Sequence, residues 1–313
     1  MSTFLIRRLI TGVALLWAST ALVFLFLHAG GTNIARAILG SNASLEQVEA
    51  KSEALGLDRP IVVQYLDWLS SAVRGDFGSS YTKSQTVADL VFSRAGVTLS
   101  LVVATVLVTT AIGVAIGIVS ARHRGWVDRT LQGGAILGTA LPSFWIALVL
   151  VTVFAVNLKW FPATGYTTFA KNPWEWAVGL VLPVIALAVV GISGVAMQVR
   201  SAVIDLSAKD FVRTLVSHGL SDRRILFRHI MRNAAGPVLV IISLQFVGML
   251  SGAVVVEQIF SMPGLGRLAV DSTTTSDVPV VMGVVTLMVA MVVVVNLVVD
   301  LASAWLNPKV RVR

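Results

Sequence analysis

The sequence predicts an all-α, polytopic membrane protein with six transmembrane helices, and three observations carry that reading. Hydrophobic residues make up 56% of the 313 positions and charged residues only 13%, against roughly 25% charged in an ordinary soluble domain. Six apolar runs are each long enough to cross a bilayer, which takes roughly 20 residues. Lys and Arg gather on one side of those runs. The chain reads as a single transmembrane domain over 1–313.

The runs are 9–29, 98–120, 133–156, 178–199, 238–256 and 280–301. The first follows Arg7 and Arg8 as a secretory leader would. It exceeds the roughly 7–15 residues of a leader's apolar region, and no small-residue cleavage pattern closes it, so it is expected to stay as an anchor. With the N-terminus inside, fifteen of the 24 Lys and Arg are cytoplasmic, among them Arg122, Arg124, Arg129, Lys309, Arg311 and Arg313. The other side keeps eleven of the 16 acids, seven of them within 30–97. Both termini are therefore expected in the cytoplasm. This one-sided distribution of the +8 net charge also argues against a nucleic-acid partner. The absence of cysteine excludes disulfides, thiolate metal sites and a cysteine nucleophile.

The segment 30–97 is too long for a turn and is expected outside. Residues 45–57 read as a short amphipathic helix ended by Gly56. Residues 64–69 read as a second, with Tyr65 and Trp68 suited to a membrane interface. Such helices either cap the bundle or form a platform for an external partner.

The most informative stretch is 200–237, a polar segment holding Arg200, Lys209, Arg213, Arg223, Arg224, Arg228 and Arg232. Charge at membrane depth is costly, so it lies outside the hydrocarbon, and its basic character places it in the cytoplasm. Phe211, Val212, Leu215 and Val216 have helical spacing, as do Ile225, Leu226, His229 and Ile230. Between them Gly219 permits a turn, and Ser221 can cap a second helix. Two short helices about a tight turn would make a rigid knob for a groove on another protein. A solvated basic loop, or one lying on anionic lipid, has the same pattern.

The run DFVRTLVSHGLSDRRILFRHIMRNAAGP (210–237) resembles the cytoplasmic signature of permease subunits of binding-protein-dependent ABC importers, in the dipeptide/oligopeptide and nickel branch. The wider family reads Glu-Ala-Ala, three residues, then Gly. Here Arg213, Thr214 and Leu215 stand at the first three positions and Gly219 at the glycine. Arginine at the first position is usual in the peptide branch, whereas Phe211, Leu215, Val216, Ser217 and His218 depart from it. Further blocks agree in order: LGLDRP (55–60) with Gln64, Tyr65 and Trp68, GDFGSS (75–80), LPSFWIA (141–147), WFPATG (160–165), VVVEQIFSMPGLGRL (254–268) and NLVVDL (296–301). Thr86 stands where proline is usual.

The resemblance implies a type I importer-like fold in the cytoplasmic (inner) cell membrane. It implies a second homologous permease forming a heterodimer, two cytoplasmic ABC ATPases and an external solute-binding protein. The solutes would be di- or oligopeptides, with nickel chelates or glutathione as the alternatives. ATP and Mg would sit on the partner ATPases. This chain has no Gly-x-x-x-x-Gly-Lys-Ser/Thr loop, and no residue is expected to be catalytic, to ligate a metal or to bind a cofactor. Asp210, Phe211, Arg213, Thr214, Leu215, Gly219, Arg223, Arg228 and His229 are the coupling candidates.

Polar groups in spans are expensive unless satisfied. Gln198, Gln245 and Asn296 could line a pathway or tie helices together. Glu257, outside the fifth run, could gate the pathway or meet a peptide amino terminus. Met197 and Met249 could form an adaptable wall or simply pack. The GLG at 264–266 lacks a preceding strand and reads as a tight turn rather than a nucleotide motif. An intramembrane serine protease at Ser193 would need a nearby base. The four histidines, His28, His123, His218 and His229, lie at a span edge or in cytoplasmic segments. Gly191 and Gly194 beside it more simply allow close helix packing. A self-contained secondary transporter would show repeats and buried ionisable residues, and only Asp300 comes near a span interior.

Overall fold

The computed structural model describes residues 2–29, 34–40, 42–123 and 125–306, and every regular element among them is helical. The basic residues Arg124, Lys309, Arg311 and Arg313 lie outside the described residues. Among the described residues, five helices are long and apolar enough to cross a membrane: Ile6–His28, Val87–Arg122, Pro173–Ser207, Asp222–Ile259 and Val278–Trp305. A shorter apolar helix, Ser143–Asn157, makes a sixth. Most run past the predicted boundaries, because charge ends a hydrocarbon crossing without ending a hydrogen-bonded helix.

The third predicted run is divided. α6 (Trp126–Ala140) stops at Leu141, and α7 (Ser143–Leu150) starts after Pro142 and continues as a π-helical turn, Val151–Asn157. Proline has no N–H for the ladder and pushes the residue before it out of helical space. Leu141 is accordingly extended, with φ −92° and ψ 125°.

The chain forms two compact units. One comprises Leu99–Met262 with the chain from Val294 onward, and α8 (Pro173–Ser207) is its central element, packed on α6, α7 and α11 (Met231–Ile259). α5 (Val87–Arg122) meets α8 along a small-residue seam. A Cβ on Gly117 would come 2.7 Å from the Ala196 carbonyl oxygen, and one on Gly113 2.7 Å from Val195 Cβ. Such close approach replaces the hydrophobic drive that lipid does not provide between helices.

The other unit comprises Ser2–Thr98 and Pro263–Val293. It holds α1 (Ser2–Ala29), α2 (Ile34–Leu39), α3 (Leu45–Ala54), α4 (Ile61–Ala72) and α12 (Leu265–Thr274), with the first turns of α5 and of α13 (Val278–Leu306). The predicted external helices are α3 and α4; α2 and α12 were not anticipated. α3 opens with a capping box, in which Gln47 N donates to Ser44 Oγ and Ser44 N to Gln47 Oε1. The 264–266 glycine pair opens α12 rather than making an isolated turn, and Leu265 N donates to Thr98 Oγ1 at 2.8 Å. Apolar cores form around Val87, Leu90, Leu268 and Val284, and around Phe24, Ile34 and Met282. Asp277, 1% exposed, holds the 80–82 segment by accepting from Ser80 Oγ, the Tyr81 and Thr82 amides and Thr82 Oγ1. Burial, reinforced by this carboxylate, pushes the Tyr81 phenol above its ordinary value.

Candidate functional site

The 200–237 stretch is helical nearly throughout. α8 ends at Ser207, and α9 (Asp210–Ser217) follows after one bend. The chain then turns at Gly219 and re-enters a continuous helical run through α10 (Asp222–Arg224), a π segment (Ile225–Ile230) and α11. Gly219 has φ +76°, its amide donates to Val216 O at 2.9 Å, and the Leu220 amide donates to Leu215 O. This is the helix-ending arrangement that favours glycine in the left-handed region. Ser221 stands at the start of the next helix with extended backbone, but its side chain makes no capping bond there.

Packing decides which side of the knob faces out. Val212, Leu215, Leu220, Ile225, Leu226 and Ile230 pack against Val199 and Val203 of α8. Left outside are Phe211, Val216 and Phe227, together with exposed Arg213, Arg223 and Arg228. Of the coupling candidates, Leu215 and His229 are half-buried and the others are exposed. Asp210 and Arg213 form only a loose pair at 3.8 Å, and Thr214 Oγ1 donates back to Asp210 O. Phe227, 56% exposed, escaped the sequence reading because it directly follows the apolar pair Ile225 and Leu226, which carried the helical spacing. An aromatic residue between Arg224 and Arg228 in a polar, basic segment was the available signal.

At the root of the knob lies a second feature that sequence reasoning missed. Arg200 of α8 donates from Nε and Nη2 to the two carboxylate oxygens of Asp128, both at 2.7 Å. The same carboxylate accepts from Ser120 Oγ of α5 and from Gln132 Nε2 of α6. One buried acid thus joins three helices next to the point where α8 leads into the knob. Asp128 precedes the apolar part of α6, and the Arg200 fork, helped by Ser120 and Gln132, holds its carboxyl well below the usual range.

The pathway candidates mostly occupy helix seams. Gln245 Nε2 donates to Gly191 O at 3.1 Å, and a Cβ on Gly194 would come 2.6 Å from it. Met249 is buried, with its Cε 2.7 Å from where a Gly191 Cβ would stand. Asn296 Oδ1 accepts from Ser243 Oγ, joining α13 to α11. Gln198 is half-buried on α8, and Met197 is exposed. Glu257 is fully buried within the last turns of α11. Ser193 Oγ donates to Ala135 O, tying α8 to α6.

Comparison with known proteins decides the family. The model for the binding-protein-dependent transport system inner membrane component matches residues 113–312, and that for the N-terminal part of such membrane components matches residues 1–102. The chain belongs to this family. It is a multi-pass membrane permease, and the matched core contains both the knob and the Asp128–Arg200 clasp.

A probable peptide ABC transporter permease protein of Sinorhizobium fredii is 34% identical over 312 residues, covering 99% of this chain and 100% of the relative. The oligopeptide transport system permease protein AppB of Bacillus subtilis is 35% identical over 314 residues, with 99% of each chain covered. The glutathione transport system permease protein GsiC of Escherichia coli is 35% identical over 312 residues, again with 99% of each covered. Among solved structures, the MetNI methionine ABC transporter in an inward-facing conformation matches with a TM-score of 0.53 and 13% identity, over 68% of this chain and 94% of that one. At that identity the likeness is one of fold.

Proposed function

We propose that this permease is one half of the translocation pathway of an ATP-driven importer of di- and oligopeptides in the cytoplasmic membrane. Its partners are a second, homologous permease, two cytoplasmic ATPases that hold ATP and Mg, and an external solute-binding protein. The observation that carries the coupling role is the knob. Its inner face is held on α8 by packing, while Phe211, Val216, Phe227, Arg213, Arg223 and Arg228 are exposed to a partner. Closure of the ATPase pair would push on that surface, and the rigid joints at Gly219 and Arg200 would pass the push into α8. The membrane helices would then shift between two access states. Peptide as the solute is supported by the full-length relatives described as peptide and oligopeptide permeases. Gln198, Gln245, Met249, Glu257 and Asn296 remain the candidate pathway and gate groups.

The test is uptake by the reconstituted complex, offered di- and oligopeptides, glutathione and a nickel chelate in turn. Peptide uptake that requires ATP supports the reading. Uptake of glutathione or nickel alone replaces the solute, and uptake without ATP removes the importer assignment.

A further inference from the structure

α4 is amphipathic in the opposite sense to a helix on a soluble protein. Gln64 and Ser71 are half-buried and, with Asp67, whose side chain stays 56% exposed, line a cavity of about 290 Å³, while Ser70 is exposed. Gln64 Nε2 donates to the carbonyls of Leu57 and Arg59, and Asp67, the one charge of the helix, is paired with Arg59 at 2.7 Å. Tyr65 packs against Phe24 of α1 and against Trp68. Its hydroxyl reaches Thr20 Oγ1 at 3.1 Å and Trp17 O at 3.3 Å. Outside remain Val62, Leu66 and Val73, with half-buried Leu69 between them, and helical spacing sets the four in one stripe. Val62, Leu66 and Val73 are 67%, 53% and 81% exposed.

The attachment to α1 says what covers this stripe. From Thr20 to His28, the last residue of the span Ile6–His28, the helix rises about 12 Å. Tyr65 therefore fastens α4 to a part of α1 that lies within the span, not beyond it. There α1 itself exposes Leu22, Leu25 and Phe26, an apolar surface suited to acyl chains. A helix held beside that surface lies at the boundary of headgroups and acyl chains, where interfacial helices bury an apolar face.

We propose that α4 is an interfacial membrane helix, with Val62, Leu66, Leu69 and Val73 seated among the acyl chains of the leaflet at the His28 end of α1. Tyr65 and Trp68, the residues that the sequence suggested for the interface, pack on α1 and on each other instead, and the aliphatic stripe meets the lipid. The inference rests on α1 spanning the membrane and not on which solute is carried.

The chain has no cysteine, so Val62→Cys, Leu66→Cys, Val73→Cys and, as a control on α3, Glu49→Cys each take a nitroxide label at one site. The labelled chains are assembled with cysteine-free partner subunits in vesicles of phosphatidylethanolamine and phosphatidylglycerol. Power-saturation spectra then compare collision with oxygen, which concentrates in acyl chains, against collision with a water-soluble nickel chelate. Oxygen should dominate at positions 62, 66 and 73, and the chelate at 49. Dominance of the chelate at all four positions overturns the proposal. So does exclusion of both reagents at the three stripe positions, which would mean that a protein partner covers them. Peptide uptake by the same vesicles is read separately, so failure of the importer reading is not confused with failure of this one.

Discussion

Asp128 and Arg200 stand 72 positions apart and meet in a two-point contact that a lysine could not reproduce. Arg200→Lys should therefore lower uptake, Arg200→Ala should lower it further, and the reversed pair Asp128→Arg with Arg200→Asp should recover part of it. An unfolded aspartate titrates at about 3.9, and the folded carboxyl titrates lower, so below about pH 5 the unfolded state binds more protons. The clasp's contribution is then fully present above about pH 5 and fades as the pH falls through the folded value. Melting curves should show a constant difference between the wild type and Asp128→Asn from about pH 8 to 5, shrinking below about pH 4. A difference that grows toward acid pH would show that the carboxylate is not held as described. Gln245 offers a second residue-scale test. Its bond to Gly191 O is of a kind worth about 0.6 kcal/mol in a membrane protein. Gln245→Leu should cost about that much stability and leave solute preference unchanged if its role is packing. A changed preference at wild-type stability would put it in the pathway.

At the scale of elements, the turn at Gly219 and the seam between α5 and α8 make the firmest predictions. Gly219→Ala must place a Cβ at φ +76°, at a cost of about 1 kcal/mol. Gly219→Pro also loses the amide bond to Val216 O and should cost about 3 kcal/mol locally. Insertion should survive in both, while uptake and solute-stimulated ATP hydrolysis fall together in the proline variant. Normal coupled uptake there would remove the knob's assignment. Gly117→Leu drives a side chain into the Ala196 carbonyl and Val199, and overpacking of this kind costs about 1–3 kcal/mol. Thermal denaturation in detergent measures it, and an unchanged midpoint would mean that the helices part without loss.

For the whole molecule, the prediction is assembly. Solubilised gently from its native membrane, the chain should co-purify with a second six-span protein and with P-loop ATPases. Recovery alone, under conditions that keep related complexes intact, would point to a self-contained transporter. Family membership was readable before any fold, because six motif blocks in order leave little room for coincidence, and the matched regions run from residue 1 to 312 with a short gap.

Five of the long apolar helices and the Gly219 turn were legible in the sequence alone. Hydrocarbon demands a run of apolar residues whatever the neighbours are, and a left-handed turn leaves a glycine behind. Pro142 stood in plain view, yet the run around it was read as one span, since hydropathy does not register a restrained φ. What tertiary structure decided was pairing and facing. The partners of Asp128 and Asp277 lie far off in sequence, so neither acid could be singled out until the fold closed around it. Spacing showed that α4 and the knob had two faces. Only packing against α1 and α8 determined which face turned inward, because periodicity carries no information about what a helix is set against.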